Sequence, residues 1–353
     1  MNFATSLHRA AVLSAIVLGA TLAGCAAPAP APMIAPPPPA PPSVSLSPRV
    51  IEQASAYRAY IARTASISPA FTDADSVAQG LKVGAAYEPG QLLRGAIAYG
   101  AIVALQDPAF VAGVRKYAGD AEQRRTIAYE IMKDPAYAVG FSGSADAAGL
   151  VMTALGDDGR RLLDLGKAVK QAAYDVQRSP WSKADVAARD SRLALAKQLS
   201  ATPLMGETAE TARLQLAVNS ASPMGLTGAA AQPPYTPLVI RSLAVAALAA
   251  LGFADDNSMA QVNPILADQR ASTCLNLSKL NLYQCLAVSR PNYEDVFCLG
   301  QHVLMDTGSC LMQGAGAPGS PADVKLANIP ESDLVPMIAK PEKAKGGSKV
   351  KKR

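Results

Sequence analysis

Four cysteines near the C-terminal end of this 353-residue chain, at positions 274, 285, 298 and 310, are its most reactive group of side chains. Clustered thiols can bind zinc, attack a substrate or pair as disulfides. Structural zinc sites contain close pairs with about two to four intervening residues, whereas these cysteines are separated by 10, 12 and 11 residues. The spacing disfavours zinc, and the choice between free thiols and disulfides depends on the compartment.

A catalytic group could be drawn around His302, which lies four residues after Cys298 and seven after Asp295. A thiol with a neighbouring imidazole and carboxylate is the arrangement of a nucleophile with its base. On a helix, however, Asp295 would lie about 10 Å along the axis from His302, and no loop suited to an oxyanion hole is apparent. We therefore interpret His302 as a surface or packing residue.

Asp157 and Asp158 stand between two glycines, in a tetrapeptide that predicts a turn. Their carboxylates could hold a hard cation, but no further oxygen ligands follow at a fixed spacing. Glycine-rich phosphate loops, H-E-x-x-H and G-x-S-x-G are absent from the chain. We predict that the protein is not an enzyme and that it has no catalytic residues, cofactor or metal.

The fifth cysteine, Cys25, ends a segment typical of export signals. Arg9 precedes an apolar run of 13 residues, from Ala10 to Leu22, which is shorter than the roughly 20 residues of a membrane-spanning helix. The run ends in Leu22-Ala23-Gly24-Cys25, which resembles the lipobox of bacterial lipoproteins. The resemblance implies cleavage before Cys25 and acyl chains on that cysteine, which anchor the protein in a membrane. The alternative is an ordinary secretory signal that contains a cysteine.

Residue 26 is alanine rather than aspartate. By resemblance to Gram-negative lipoproteins, this departs from the inner-membrane retention signal and predicts an outer-membrane anchor, with the domain facing the periplasm. Residues 26–42 contain nine prolines and no charge. They predict an extended polyproline II spacer that reaches on the order of 50 Å, although a partner that reads proline could also dock there.

The formal net charge of +5 comes from the C-terminal tail. Residues Lys340–Arg353 hold seven basic side chains and one acid, so the stretch 43–339 has a net charge of −2. The tail predicts either a solvated end or a contact with an anionic envelope polymer. Nucleic acid is disfavoured, because no aromatic residues are interleaved with the basic ones.

Apolar residues recur at helical spacing along the body, and no alternation typical of strands appears. The sequence therefore predicts an all-α fold. Asp107-Pro108 and Asp134-Pro135 are both helix-start signals and could mark a repeated unit or chance reuse of a capping sequence. The predicted helices are 50–65, 91–105, one starting at Asp120, 144–177 with the turn at 156–159, 183–199, 207–218, 238–251, 272–287 and 291–305.

Helical geometry predicts how the four cysteines pair if they are oxidised, as export favours. Cys274 and Cys285 would share a helix face but lie roughly 16 Å apart along the axis, too far for a disulfide, whose Cα atoms lie within about 7 Å. Folding 272–287 and 291–305 antiparallel places Cys285 opposite Cys298 and Cys274 opposite Cys310. The sequence thus predicts two nested bridges that staple a helical hairpin.

The expected organisation is a signal peptide (1–24), a lipidated cysteine with its linker (25–46), a helical domain (47–270), the stapled hairpin (271–312) and a disordered tail (313–353) that is basic from 340. The mature domain resembles the uncharacterised helical lipoproteins of bacterial envelopes, a resemblance that implies no activity. We expect a scaffold or accessory subunit with an envelope protein as partner. The alternative is a module that binds a lipid or another small ligand, which a deep apolar pocket would favour and a flat exposed apolar patch would disfavour.

Overall fold

Helices are the only regular secondary structure in residues 43–219 and 222–317, the part of the chain that the computed structural model describes. Outside the helices there are two isolated β-bridges, Leu46 with Ala254 and Asp185 with Pro291. The predicted all-α fold is therefore confirmed for these residues. The predicted signal peptide, Cys25, most of the proline-rich linker and the basic tail lie outside the described residues.

The helices of the described part are short except for one that spans 32 residues. In chain order they are α1 (Pro48–Thr64), α2 (Ala74–Ala85), α3 (Pro89–Ala104), α4 (Pro108–Arg115), α5 (Ala121–Lys133), α6 (Ser144–Asp175), α7 (Pro180–Lys183), α8 (Arg189–Ala201), α9 (Thr208–Val218), α10 (Pro237–Leu251), α11 (Met259–Val262), α12 (Gln269–Val288), α13 (Asn292–Cys298) and α14 (Asp306–Ala315). The predictions for α1, α3, α9 and α10 are confirmed to within two residues at each end.

Proline at the first helical position, preceded by a capping side chain, starts several of these helices. Ser47 caps α1, Asp107 caps α4 and Thr236 caps α10, each accepting a hydrogen bond from a backbone N–H of the first turn. The second Asp-Pro segment behaves differently, because Asp134 caps a 3₁₀ helix, Pro135–Gly140, rather than an α-helix. The two Asp-Pro segments therefore do not begin a repeated unit.

Helix α10 is the centre of the core. From Ser242 to Leu251 every side chain is buried, and α10 packs against α3 and α6. By length and hydropathy, no single helix of the described residues could cross a membrane. Helices α3 and α4 pass that test only as a pair, and the pair is bent by 87°.

Helix α6 is continuous, so the turn predicted at 156–159 is wrong. The glycines that suggested a turn serve instead as contact points. A Cβ atom on Gly159 would lie 2.7 Å from the carbonyl oxygen of Gly308, and one on Gly166 would lie 2.9 Å from that of Gly300. Both distances are shorter than van der Waals contact, so only glycine permits α6 to lie this close to the C-terminal helices.

Helix α8 begins at Arg189, six residues after the predicted start at 183. The residues before it do not continue a helix, because 184–186 bind the turn of the cysteine hairpin and 187–188 form a turn. The Val186 N–H donates to the Arg290 carbonyl at 2.7 Å, and the Asn292 N–H donates to the Ala184 carbonyl at 3.1 Å. Local helical pattern could not reveal this pairing, because its partner lies about a hundred residues away.

Helix α2 was not predicted, although its start carries a readable signal. Asp73 accepts from the Ser76 N–H, and Ser76 reaches back to the Asp73 N–H, which is a capping box. Its buried face is short and includes Gly80 and Gly84, so the apolar period is weak. The capping box, rather than the apolar periodicity, is the sequence feature that predicts α2.

At both ends of the described part, some residues that were predicted to be linker or tail belong to the folded body. In the last residues of the predicted linker, the Ser45 N–H donates to the Ala249 carbonyl at 2.9 Å, and Leu46 is buried. Helix α14 runs to Ala315, and Ala317 is buried, so the tail does not begin at 313. Because α14 packs along α6, the hairpin shares its core with the helices before residue 270.

The close contact of α6 makes Gly166→Ala a test of the fold. Alanine adds a Cβ that would lie 2.7 Å from the Met305 nitrogen. We expect the variant to lower the free energy of unfolding by about 1–3 kcal/mol, although alanine is the better helix former by about 1 kcal/mol. Urea unfolding of the oxidised protein measures the difference.

The matched control is Gly119→Ala, because a Cβ on Gly119 would meet no atom within 4 Å. This control should leave the stability unchanged or raise it slightly. Equal or higher stability of Gly166→Ala would contradict the proposed close contact.

Candidate functional sites

The cysteine hairpin has the predicted nested bridges. Cys274 is bonded to Cys310 and Cys285 to Cys298, with Cα–Cα distances of 5.7 and 5.8 Å. These lie within the usual range for disulfides. Because all four thiols are oxidised, none is available as a nucleophile or metal ligand.

The second helix of the hairpin differs from its prediction. It was expected to end at 305, but α13 continues through a π-helical segment, Leu299–Met305, into α14, which ends at Ala315. In a regular α-helix, Cys298 and Cys310 would point about 120° apart. A π-turn holds more residues and rotates less per residue, so the segment brings both cysteines toward the face that meets α12.

Two arginines of α8 hold the turn of the hairpin. Arg189 donates to the carbonyls of Ser289 and Ala287, and Arg192 donates to the carbonyl of Leu286, near the C-terminal end of α12. Arg192 also forms a buried ion pair with Asp295. Burial raises the pKa of the Asp295 carboxyl, while Arg192 acts in the opposite direction. These bonds satisfy the carbonyls that the end of a helix leaves free.

The catalytic group imagined around His302 is not assembled. Cys298 is in a disulfide and Asp295 is bound to Arg192. His302 Nδ1 lies instead 2.9 Å from an oxygen of Asp306, one turn further along the chain. The histidine therefore has a carboxylate partner but no nucleophile from this set, which agrees with its interpretation as a packing residue.

Lys279 lies on the inner face of α12 and is only 4% exposed. Its Nζ donates to the Ala85 carbonyl at 2.7 Å, at the last residue of α2, and lies 3.4 Å from the centre of the Tyr87 ring. Burial lowers the pKa of this lysine well below its usual value. Lys279 thus satisfies the end of α2 from another helix, a role that no sequence pattern indicated.

The opposite face of α12 is apolar and exposed. Leu277 is 40% exposed, Leu280 48% and Val288 75%. Gln284 and Ala287 are exposed beside them, so residues 277, 280, 284 and 287 form one stripe with alternating spacings of three and four. This helix therefore has two apolar faces: Leu275, Leu282 and Leu286 are buried on the same side as Lys279, whereas Leu277 and Leu280 are exposed. We call residues 277, 280, 284, 287 and 288 the α12 face.

A third feature is a polar cleft of about 330 Å³ beside α6. Asp158 is at its base, with a side chain that is 2% exposed. One oxygen accepts hydrogen bonds from Tyr57 at 3.1 Å and from Arg58 at 2.7 Å. Burial raises the pKa of the Asp158 carboxyl, and Arg58 opposes that rise.

This pairing corrects the prediction for Asp157 and Asp158. They lie on a helix rather than in a turn, and Asp158 is bound to Arg58 and Tyr57. Within the described residues, no group of three or more His, Cys, Asp or Glu side chains could hold a metal ion. The carboxylate that looked like a cation ligand is a buried partner of an arginine, since burial of a carboxylate requires such a partner.

Comparison with known proteins suggests no function for this chain. No protein-family model, curated protein or solved structure matches this chain. The roles of the α12 face and the polar cleft therefore have to be inferred from their side chains and contacts.

Lys279 predicts a pH dependence of stability. Its pKa is lower in the folded protein than in the unfolded chain, so the unfolded state binds more protons between the two values. Stability should therefore rise with pH in that window, below the ordinary lysine pKa of about 10.4. In Lys279→Met this contribution to the rise should disappear.

Urea unfolding of a Cys25→Ser form between about pH 7 and 9.5 measures this effect, below the range in which tyrosines of the unfolded chain ionise. The control is Lys197→Met, since Lys197 is exposed and its loss should leave the slope unchanged. A slope that is the same in Lys279→Met and in the wild type would show that the buried lysine has no such shift.

The ion pair of Asp158 with Arg58 predicts that neutralising Asp158 lowers the stability of the protein more than neutralising its neighbour Asp157. Asp158→Asn keeps an acceptor for Tyr57 but leaves Arg58 without its buried counter-charge, so we expect a loss of about 2–4 kcal/mol. Asp157→Asn, at an exposed position, should change stability by less than about 0.5 kcal/mol. Chemical denaturation measures both.

The double variant Arg58→Met/Asp158→Asn completes a cycle and should cost less than the sum of the two single variants. Additive losses would show that the two charges do not stabilise each other.

Proposed function

We propose that this protein is a lipid-anchored accessory subunit of the bacterial envelope, which binds a partner protein through the α12 face and catalyses no reaction. The observation that carries the proposal is that α12 has a second apolar face, which is exposed. Lys279 is buried, whereas Leu277, Leu280 and Val288 are exposed. Exposed apolar side chains clustered on one helix face are typical of protein–protein contacts.

The spacing of the α12 face indicates the kind of partner. Positions 277, 280, 284 and 287 recur with the alternation of three and four residues that forms the seam between two packed helices. No charged side chain lies on the exposed face between 271 and 288, so the partner needs no complementary charge there. We infer that the occupant is an apolar helix of another envelope protein.

The rigidity of α12 also supports this role. Both disulfides join α12 to α13 and α14, and Lys279 ties it to the end of α2. A surface held in one conformation before binding loses less conformational entropy when its partner binds. The two disulfides therefore favour a rigid binding surface over a segment that changes conformation.

The place of action rests on the N-terminal sequence. The lipobox ending at Cys25 supports anchorage by acyl chains, Ala26 supports the outer membrane, and residues 26–42 would let the domain reach into the periplasm. The basic residues Lys340–Arg353 would add a weaker contact with an anionic envelope polymer. A lipid-binding role is less well supported, because the 650 Å³ groove beside α4 includes Gln106, Arg115 and Lys116 in its lining.

Crosslinking inside the cell tests the proposal. A photoreactive residue replaces Leu280 in the full-length lipoprotein, and a second version carries it at Tyr129, which is 62% exposed on α5. We expect a single crosslinked protein partner from position 280 and none from position 129. Cys25→Ser, which cannot be lipidated, should weaken or remove the crosslink.

A matched pair of charge variants provides the second measurement. Leu277→Glu/Leu280→Glu should remove the crosslinked partner in a version with the photoreactive residue at 284, while Tyr129→Glu should not. Circular dichroism of the purified variants checks that the helices are intact. A crosslink from position 280 to a second copy of this chain, or a partner retained by the double glutamate variant, would contradict the proposal.

A further inference from the structure

The π-helical segment Leu299–Met305 packs against α6 and brings polar side chains of both together. The approach is close, since a Cβ atom on Gly300 would lie 2.6 Å from the Lys170 nitrogen. This contact places the Lys170 ammonium 2.8 Å from the amide oxygen of Gln301, to which it donates a hydrogen bond. His302 follows on the same segment, and all three side chains are half-buried.

The π-helical geometry lets Asp306 contact two of these side chains at once. The Gln301 amide donates to one carboxylate oxygen at 3.0 Å, and His302 Nδ1 lies 2.9 Å from the other. In a regular α-helix, positions 301 and 306 would point about 140° apart. The i→i+5 hydrogen bonds of a π-helix instead stack residues that are five apart, and such segments occur frequently at functional sites. Lys170, Gln301, Asp306 and His302 thus form one connected polar row.

Two aromatic rings border the polar row. Phe297 lies beneath the Lys170 ammonium, with 5.2 Å between Nζ and the ring centre, and its ring centre is 6.5 Å from that of His302. Tyr174, one turn after Lys170 on α6, meets Phe297 edge to face at 6.4 Å and is 51% exposed. The half-exposed Tyr174 ring therefore lies beside a set of positioned hydrogen-bonding groups.

The polar row still offers both donors and acceptors to a ligand. Within the row, Lys170 donates one of its three N–H groups and the Gln301 amide one of its two. Each oxygen of Asp306 has one partner there and can accept a further hydrogen bond. Because an ionised carboxylate only accepts, Nδ1 of His302 carries the proton, and Nε2 of the neutral ring is an acceptor. Hydroxyl groups both donate and accept, so neighbouring hydroxyls match this mixed set.

The charges within the polar row indicate a neutral ligand. Lys170 and Asp306 carry one charge of each sign, and they are joined through the uncharged Gln301. An anion would lie close to Asp306 and a cation close to Lys170, so either would meet repulsion as well as attraction. An acyl chain would desolvate both charges without offering hydrogen bonds. A neutral molecule rich in hydroxyls avoids these penalties.

We propose that this surface binds a neutral pyranose sugar of a glycan. The sugar hydroxyls would bond to Lys170, Gln301 and Asp306. The C–H groups on one face of the sugar ring would pack on Tyr174, because the face of an aromatic ring carries negative partial charge. None of these residues belongs to the α12 face, so the sugar site goes beyond the proposed docking role. Glycan strands of the cell wall and free oligosaccharides share this chemistry.

Isothermal titration of the mature chain with Cys25→Ser tests the proposal. The neutral probes are chitotetraose, cellotetraose and maltotetraose, and tetragalacturonic acid is the anionic control. We expect saturable binding of at least one neutral tetramer and weaker binding of the anionic one. Co-sedimentation with purified peptidoglycan sacculi then separates the two sources. Sedimentation that the bound tetramer competes away identifies wall glycan, and its absence identifies a free oligosaccharide.

Protein variants then locate the site. Tyr174→Ala should weaken binding of the same probe by roughly threefold to tenfold, whereas Tyr174→Phe, which keeps the ring, should bind within about twofold of the wild type. Asp306→Asn should weaken binding roughly tenfold, because it removes a charged acceptor. The controls Tyr129→Ala and Asp164→Asn, at exposed positions, should leave binding unchanged. Thermal unfolding verifies that the variants are folded, and the Tyr174 pair decides if Asp306→Asn is not.

Three outcomes would overturn the proposal. In the first, no neutral tetramer binds saturably. In the second, the anionic tetramer binds as tightly as the neutral ones. In the third, Tyr174→Ala binds as tightly as Tyr174→Phe, which would place the sugar elsewhere on the protein.

Discussion

The close approach of α6 to the C-terminal helices is the contact on which the rest of the structure depends. It occurs where Gly159 and Gly166 meet Gly308 and Gly300, backbone against backbone. Side chains at these positions would separate the helices, because packed interiors have no free volume to absorb even one methyl group. Helix α6 is continuous through a segment that resembles a turn, and Asp158 lies on its buried side.

Close packing of this kind leaves helix ends and charged groups away from water, and the protein compensates them from distant parts of the chain. Lys279 satisfies the end of α2, and Arg189 and Arg192 satisfy the end of α12. Asp158 is paired with Arg58 in the same way. These groups have such partners because leaving a buried charge or a buried carbonyl unpaired would cost several kcal/mol. On the side of α12 opposite Lys279, Leu277 and Leu280 are exposed to solvent.

The α12 face and the polar cleft arise from this arrangement in different ways. The α12 face lies on a helix whose other side fills the core, and the disulfides hold that face in one orientation. The polar cleft results from charges that gather around a buried carboxylate and are only partly paired.

The sequence by itself determined the helical class, most helix positions and the nested disulfides; lipidation of Cys25 stays a prediction. These depend on local periodicity, capping residues and spacing, which act over a few turns of chain. Only the tertiary structure decided that Gly156–Gly159 continues a helix, that α8 starts late and that Lys279 is buried beneath exposed leucines. In each of these cases the deciding partner is far away in the chain: Gly308 for Gly159, Arg290 for Val186 and Ala85 for Lys279. Local propensity is worth only about 1 kcal/mol per residue or less, so a backbone contact or a buried charge from a distant helix overrides it.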